Sequence, residues 1–248
     1  MKLAENATGR GHAGPNPGIV AIVYAVLFNA GLYQVVSFTG GPHFPGPWES
    51  GETIATYFQG HPTAVLMCAF LQFGAAIPLG VYTATMVSRL QFQGVRAAGA
   101  HIALFGGLMT AFDIAASSHY LWVTAYPGVA QDTPVLRALY YLAFSLGGVG
   151  FSAPMGILIA GICIPAAFLK LLPKWLVVFG IVIAVMGELS WFDLITSKAL
   201  PFIPLTRFPS FIWLIVAGFT LPKKIAATSP PPTIFGTPGK PPLAAQNY

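Results

Sequence analysis

Charge is what this chain has least of. Of its 248 residues only 8% are Asp, Glu, Lys or Arg, while 55% are hydrophobic. Soluble domains carry about 25% charged residues. So few charges could not cover a soluble fold of this size, so much of the surface faces something other than water. A lipid bilayer is the medium that fits. Cysteine is almost absent too. Cys68 and Cys163 stand alone in apolar runs, with no metal-type spacing, and read as small buried apolar residues. Basic runs are missing as well. The net charge is +5, but the Lys and Arg residues come singly or in pairs, which excludes nucleic acid as a partner. There is no G-x-S-x-G, no H-E-x-x-H and no Gly-rich nucleotide loop, and no cofactor is expected.

What is present is a series of long apolar runs. A membrane span needs about 20 mostly apolar residues. Six segments qualify: Gly18–Phe38, Thr63–Val87, Ala97–Leu121, a stretch within Val135–Leu169, Trp175–Thr196, and about Leu205–Leu221. The expected fold is therefore all-α: a polytopic membrane protein with six transmembrane helices in one bundle. A cytoplasmic leader (1–17) precedes it, without the cleavage pattern of a secretory signal, so the first run is expected to be retained. A Pro-rich cytoplasmic tail (222–248) follows, too poor in apolar residues to fold.

The fourth segment is long enough for two readings. As one helix it would extend ~52 Å, beyond the ~30 Å hydrocarbon core. The positive-inside rule separates them. With six spans and a cytoplasmic N-terminus, nine basic residues lie inside: Lys2, Arg10, Arg89, Arg96, Lys170, Lys174, Lys223, Lys224 and Lys240. Only Arg137, Lys198 and Arg207 lie outside. Splitting the fourth segment makes the two sides equal. One long fourth helix, kinked near Gly147–Gly150 and Pro154, and both termini in the cytoplasm is the reading adopted. Pro78 and Pro165 also fall within spans. In the outer loop Thr39–Pro62, the stretch ETIATYFQ would place Ile54, Tyr57 and Phe58 on one face of a surface helix. Trp48, Trp122, Trp175 and Tyr126 read as interface anchors.

Small residues recur every four positions in two spans. Ala103, Gly107, Ala111 and Ala115 line the third, and Ser152, Gly156 and Ala160 the fourth. Such stripes allow close backbone approach in lipid. They predict that spans three and four pack together through these faces.

Three acids lie within spans: Asp113, Glu188 and Asp193. A charge at the bilayer centre carries a penalty of roughly 2.5–3.5 kcal/mol on insertion scales, so each is a candidate for function. By helical rise they stand ~24, ~20 and ~27 Å above the inner ends of their spans, all in the outer half. At 100° per residue, Thr110, Asp113, Ser117 and Tyr120 share one face, nearly opposite the small-residue stripe. Asp113 is thus expected to point at span five, with Glu188 as its partner. Two meeting carboxyls would share a proton at neutral pH and could relay protons or hold a cation. The structural alternative is an acid hydrogen-bonded by Thr110, Ser117 or Tyr120. For Asp193 that alternative is bonding to Ser190 or Ser197 near the outer interface, or pairing with Arg207.

The histidines give weaker patterns. His43, His61 and His119 all fall on the outer side and, with Glu49, Glu52 and Asp193, are candidate ligands of an outward metal site. None has a ligand spacing to another. His119 lies about 240° around the helix from Asp113, so the two do not pair. His101 lies near the inner end of span three.

Two late stretches carry a resemblance: LLPKWLVVFGIVIAVMGELS (171–190) and RFPSFIWLIVAGFTLPKK (207–224). Leu172-Pro173-Lys174-Trp175 opens one, and Trp213-Leu214 with Gly218-Phe219 closes the other. They resemble a family of uncharacterised bacterial six-span membrane proteins, a domain of unknown function. The resemblance implies the bacterial cytoplasmic (inner) membrane and six helices, and no activity. The function expected is a non-enzymatic one: an intramembrane pocket lined by carboxylates that binds or passes a small solute, ion or lipid. An accessory or regulatory subunit working through a membrane-protein partner, and an intramembrane or metal-dependent enzyme, are the alternatives.

Overall fold

The computed structural model describes residues 11–36 and 43–224. Eight helices run through them: α1 (Pro17–Val35), α2 (Gly51–Gly60), α3 (Pro62–Phe92), α4 (Gly99–Thr124), α5 (Pro127–Ala130), α6 (Thr133–Phe168), α7 (Lys174–Ser190) and α8 (Phe202–Thr220). Two 3₁₀ turns, Trp191–Leu194 and Ser197–Ala199, join α7 to α8. Six of the helices, all but α2 and α5, are long and apolar enough to cross a membrane. The chain is an all-α, polytopic membrane protein.

Local chemistry sets the helix starts. Pro17, Pro62 and Pro134 occupy first-turn positions of α1, α3 and α6, where the missing N–H is not needed. The Asn16 side chain accepts from Gly18 N at 3.0 Å, that of Ser50 from Thr53 N at 3.1 Å, and that of Asp132 from Val135 N at 3.3 Å. Gly94, at φ 89°, makes the turn from α3 to α4 that a side chain would strain.

The six spanning helices close a ring in chain order, α1–α3–α4–α6–α7–α8, with α8 returning to α1. α6 also touches α8 and α3, so it stands deepest. Within its most apolar window 67% of residues are buried, against 33–44% in the other five. α6 is one helix of 36 residues with Pro154 and Pro165 inside it, about 54 Å long at the α-helical rise. Its extra length has a use. Leu136 and Tyr140, in its first turns, pack with Ile54, Tyr57 and Phe58 of α2 in a second apolar cluster at one end of the bundle. The expected surface helix is therefore present, with the expected face buried. Tyr57 Oη donates to Val35 O at 2.9 Å and ties α2 to the end of α1.

α4 and α6 pack together as expected, and Ala103 of the expected stripe does meet α6, but the rest of the contact runs through other residues. A Cβ on Gly106 would fall 2.5 Å from Leu158 N, and one on Gly161 would fall 2.5 Å from Ala103 N. Gly107, assigned to the α6 contact, instead lies against Thr83 of α3. Ser152 and Gly156 face α7: a Cβ on Gly156 would lie 2.9 Å from Ala184 O, and one on Gly187 would lie 2.7 Å from Ser152 O. The reason is polar burial. Thr110, Asp113 and Ser117 must be covered by protein, whereas Ala111 and Ala115 tolerate partial contact with lipid. The polar seam therefore takes the α6 side.

The opposite end of the bundle is held by a polar clasp. Arg89, 4% exposed, reaches Gly218 O (3.4 Å) and Leu221 O (3.3 Å) at the carbonyl end of α8, where a helix favours a cation. Gln93 Nε2 donates to Pro222 O at 2.8 Å. His12 N donates to Lys223 O at 2.8 Å, and its Nε2 lies 2.9 Å from Ser88 Oγ. Gly11 and His12 of the leader are thus docked against Lys223 and Lys224. Leader residues 1–10 and tail residues 225–248 lie outside the described residues, as does the expected end of the first span at Phe38.

Candidate functional site

A partly open cavity lies at the α2 end, between α1, α3, α4, α6 and α8, with a volume of about 230 Å³. Most of its wall is apolar: Phe28, Leu32 and Val35 of α1, Ile114 and Leu121 of α4, Phe144 of α6 and Ile203 of α8. Phe44 lies over it, packed edge-on against Tyr57 with ring centroids 5.3 Å apart. Gln72, Ser117, Tyr140 and Arg207 supply the polar groups. Gly147 and Gly148 leave room where α6 passes.

Two of these polar groups are already committed. Ser117 Oγ donates to Ala143 O at 2.7 Å, and Tyr140 Oη donates to Pro45 O. Arg207 is different. It sits in the second turn of α8 and points into the bundle. Nη2 donates to Gly147 O, and the guanidinium carbon lies 4.9 Å from the Phe151 ring centroid and 5.6 Å from that of Phe28. Its Nε is buried with no hydrogen-bond partner. No described lining residue is acidic. Among the described residues the one ion pair is His43 with Glu49, at 3.1 Å, outside the cavity. Arg207 is thus a cation held in an apolar chamber by rings and a carbonyl. The expected pairing with Asp193 is absent, because Arg207 turns inward while Asp193 sits half-buried in the 3₁₀ turn after α7.

The expected carboxylates are placed apart. Asp113 is buried at 6% exposure on the α6 side of α4, where a Cβ on Gly150 would lie 3.0 Å from its Oδ2. Glu188 lies on the exposed side of α7, in a shallow groove with Ala160, Ile181 and Phe192. α6 is packed between α4 and α7, so Asp113 meets α6 instead of Glu188. The hydroxyls expected to serve Asp113 are also committed elsewhere. Thr110 Oγ1 donates to Gly106 O at 2.8 Å, and Ser117 donates to Ala143 O. A hydroxyl has one proton to give, so neither can donate to the carboxyl. Tyr120 is half-buried against the α2 cluster.

The histidines do not converge. His43 pairs with Glu49, His61 Nδ1 lies 3.0 Å from Tyr57 O, and the His119 ring packs 4.9 Å from that of Phe73. Among the described residues no three His, Cys, Asp or Glu side chains are grouped to hold a metal ion.

Sequence reasoning read Arg207 as an outer partner of Asp193 and Cys68 as a small buried residue, and passed over Gln72; the structure brings all three to the cavity. One signal was available. Arg207 falls inside the sixth apolar run, expected from about Leu205, as a lone basic residue among apolar ones. Gln72 and Cys68 face the cavity only because α3 turns that side toward α1 and α4.

No family model, no curated protein and no solved structure matches this chain.

Proposed function

We propose that this integral membrane protein binds a small, largely apolar solute in the cavity at the α2 end of the bundle. The observation that carries the reading is the cavity itself: about 230 Å³ of space with apolar walls and a few convergent polar groups. Interiors are otherwise packed with few voids larger than a water molecule. Asp113 lies one turn of α4 from Ser117 and flanks the pocket, while Glu188 lies outside it. A bacterial cytoplasmic membrane with both termini inside accords with the basic-residue bias and with the resemblance of 171–190 and 207–224.

The test is thermal unfolding of the purified protein in lipid nanodiscs against a panel of small alcohols, acids and amides of graded length. At least one class should raise the unfolding temperature in a saturable way. Ala143, buried on the cavity wall, supplies the control. Ala143→Phe fills the space and should abolish the response. Equal responses from the two proteins would place binding elsewhere and end the reading.

A further inference from the structure

We infer that the cavity's ligand is an anionic amphiphile: a short- to medium-chain carboxylate whose head group meets Arg207 and whose chain lies along the walls of α1 and α4. The inference rests on the cavity being a binding site and names its ligand class.

Charge complementarity is the first reason. A guanidinium presents five N–H donors and no acceptor. Here Nη2 is committed to Gly147 O, Nε has no partner, and no described acid is paired with it. Removing a cation from water at membrane depth is strongly unfavourable unless an anion or several acceptors replace the water. The Phe28 and Phe151 rings offset part of that penalty. A carboxylate would supply the rest, because the planar fork of Arg matches two carboxylate oxygens.

Size and wall chemistry give the second reason. An apolar cavity of ~150 Å³ holds benzene. By that scale, about 230 Å³ admits roughly nine or ten non-hydrogen atoms, the size of octanoate. The acyl portion would contact Phe28, Leu32, Val35, Ile114 and Leu121, which offer no hydrogen bonds from their side chains. A bare oxyanion would leave those walls uncovered. A phospholipid is too large to enter whole.

The experiment compares octanoate, octanol and inorganic phosphate by calorimetry on the nanodisc-embedded protein. Octanoate should bind about tenfold or more tightly than octanol near neutral pH. Phosphate should be weaker than octanoate by a similar factor. The advantage of octanoate should disappear as pH falls through roughly 4–5, where a carboxylic acid takes its proton. That arm needs no variant. Arg207→Gln should then weaken octanoate by about tenfold or more, and Arg207→Lys, which keeps the charge but loses the planar fork, should weaken it by less than Arg207→Gln does. Each variant is first shown to be monodisperse by gel filtration. Octanol binding as tightly as octanoate would overturn the anion while leaving the cavity reading intact. Phosphate binding as tightly as octanoate would overturn the amphiphile. If neither octanol nor octanoate binds, both readings fall.

Discussion

Asp113 of α4 lies against Gly150 of α6, so closely that a methyl group on the glycine would come 3.0 Å from Oδ2. The acid fits because its neighbour has no side chain. It also lacks the hydroxyl donors beside it on α4, since Thr110 and Ser117 both bond backbone carbonyls.

This contact is measurable as a coupling. Gly150→Ala should destabilise the protein by about 1–3 kcal/mol, the usual range for overpacking. Asp113→Ala should relieve much of that effect, so the pair should depart from additivity by more than ~0.5 kcal/mol in a double-mutant unfolding cycle. Simple additivity would mean that the two positions do not touch.

The glycines between helices should be unequal. A Cβ on Gly106 or Gly161 would meet backbone atoms of the facing helix at 2.5 Å, and backbone cannot rotate aside. Gly106→Ala and Gly161→Ala should each lower stability by about 1–3 kcal/mol or more. Gly80, on α3, has nothing within 4 Å of its would-be Cβ. Gly80→Ala should be neutral or stabilising by roughly 0.5–1 kcal/mol, through the poor helix propensity of glycine. Unfolding curves of the three variants give the ranking, and an equal loss in all three would contradict the packing.

The clasp at the other end should depend on pH through His12. Burial, then the charges of Arg89 and Lys223, push its pKa below the ordinary 6.5. The docked strap therefore holds a neutral ring. Above pH 6.5 its contribution is complete. As pH falls, the released strap takes up a proton sooner than the docked one, and the contribution is lost through the depressed pKa. After correction for intrinsic rates, the His12 amide, bonded to Lys223 O, should exchange faster at about pH 5 than at about pH 7.5, a window set by the unperturbed value near 6.5. His12→Asn should flatten the difference. Unchanged protection in the native protein would rule out the neutral docked ring.

Topology is open to chemical labelling. Gln91 and Gln131 are exposed at opposite ends of the bundle, in the last turn of α3 and beside α5. In a background without Cys68 and Cys163, Gln131→Cys should react with a membrane-impermeant maleimide on intact cells. Gln91→Cys should react only after permeabilisation. The reverse pattern would invert the orientation read from the basic residues.

The six spans, the single long fourth helix and the α2 surface helix were legible in the sequence. Each follows from hydropathy, length and period, which are properties of one segment at a time. The α4–α6 pairing was legible too, but of its faces only Ala103 was. A four-residue stripe of small residues permits close approach without naming the neighbour. α6 carries glycines toward both α4 and α7, so its stripe fits either helix. The acids drew attention because charge in an apolar run stands out in a sequence. The cavity did not, because empty space is a property of five helices together.

The sequence by itself determined the medium and the number of crossings, since lipid requires every spanning backbone to satisfy its own hydrogen bonds. Only the tertiary structure decided what each polar side chain meets. Asp113 faces a glycine of α6 and Arg207 turns inward between two aromatic rings, because a helix's own residues say which face must be covered but not which neighbour covers it.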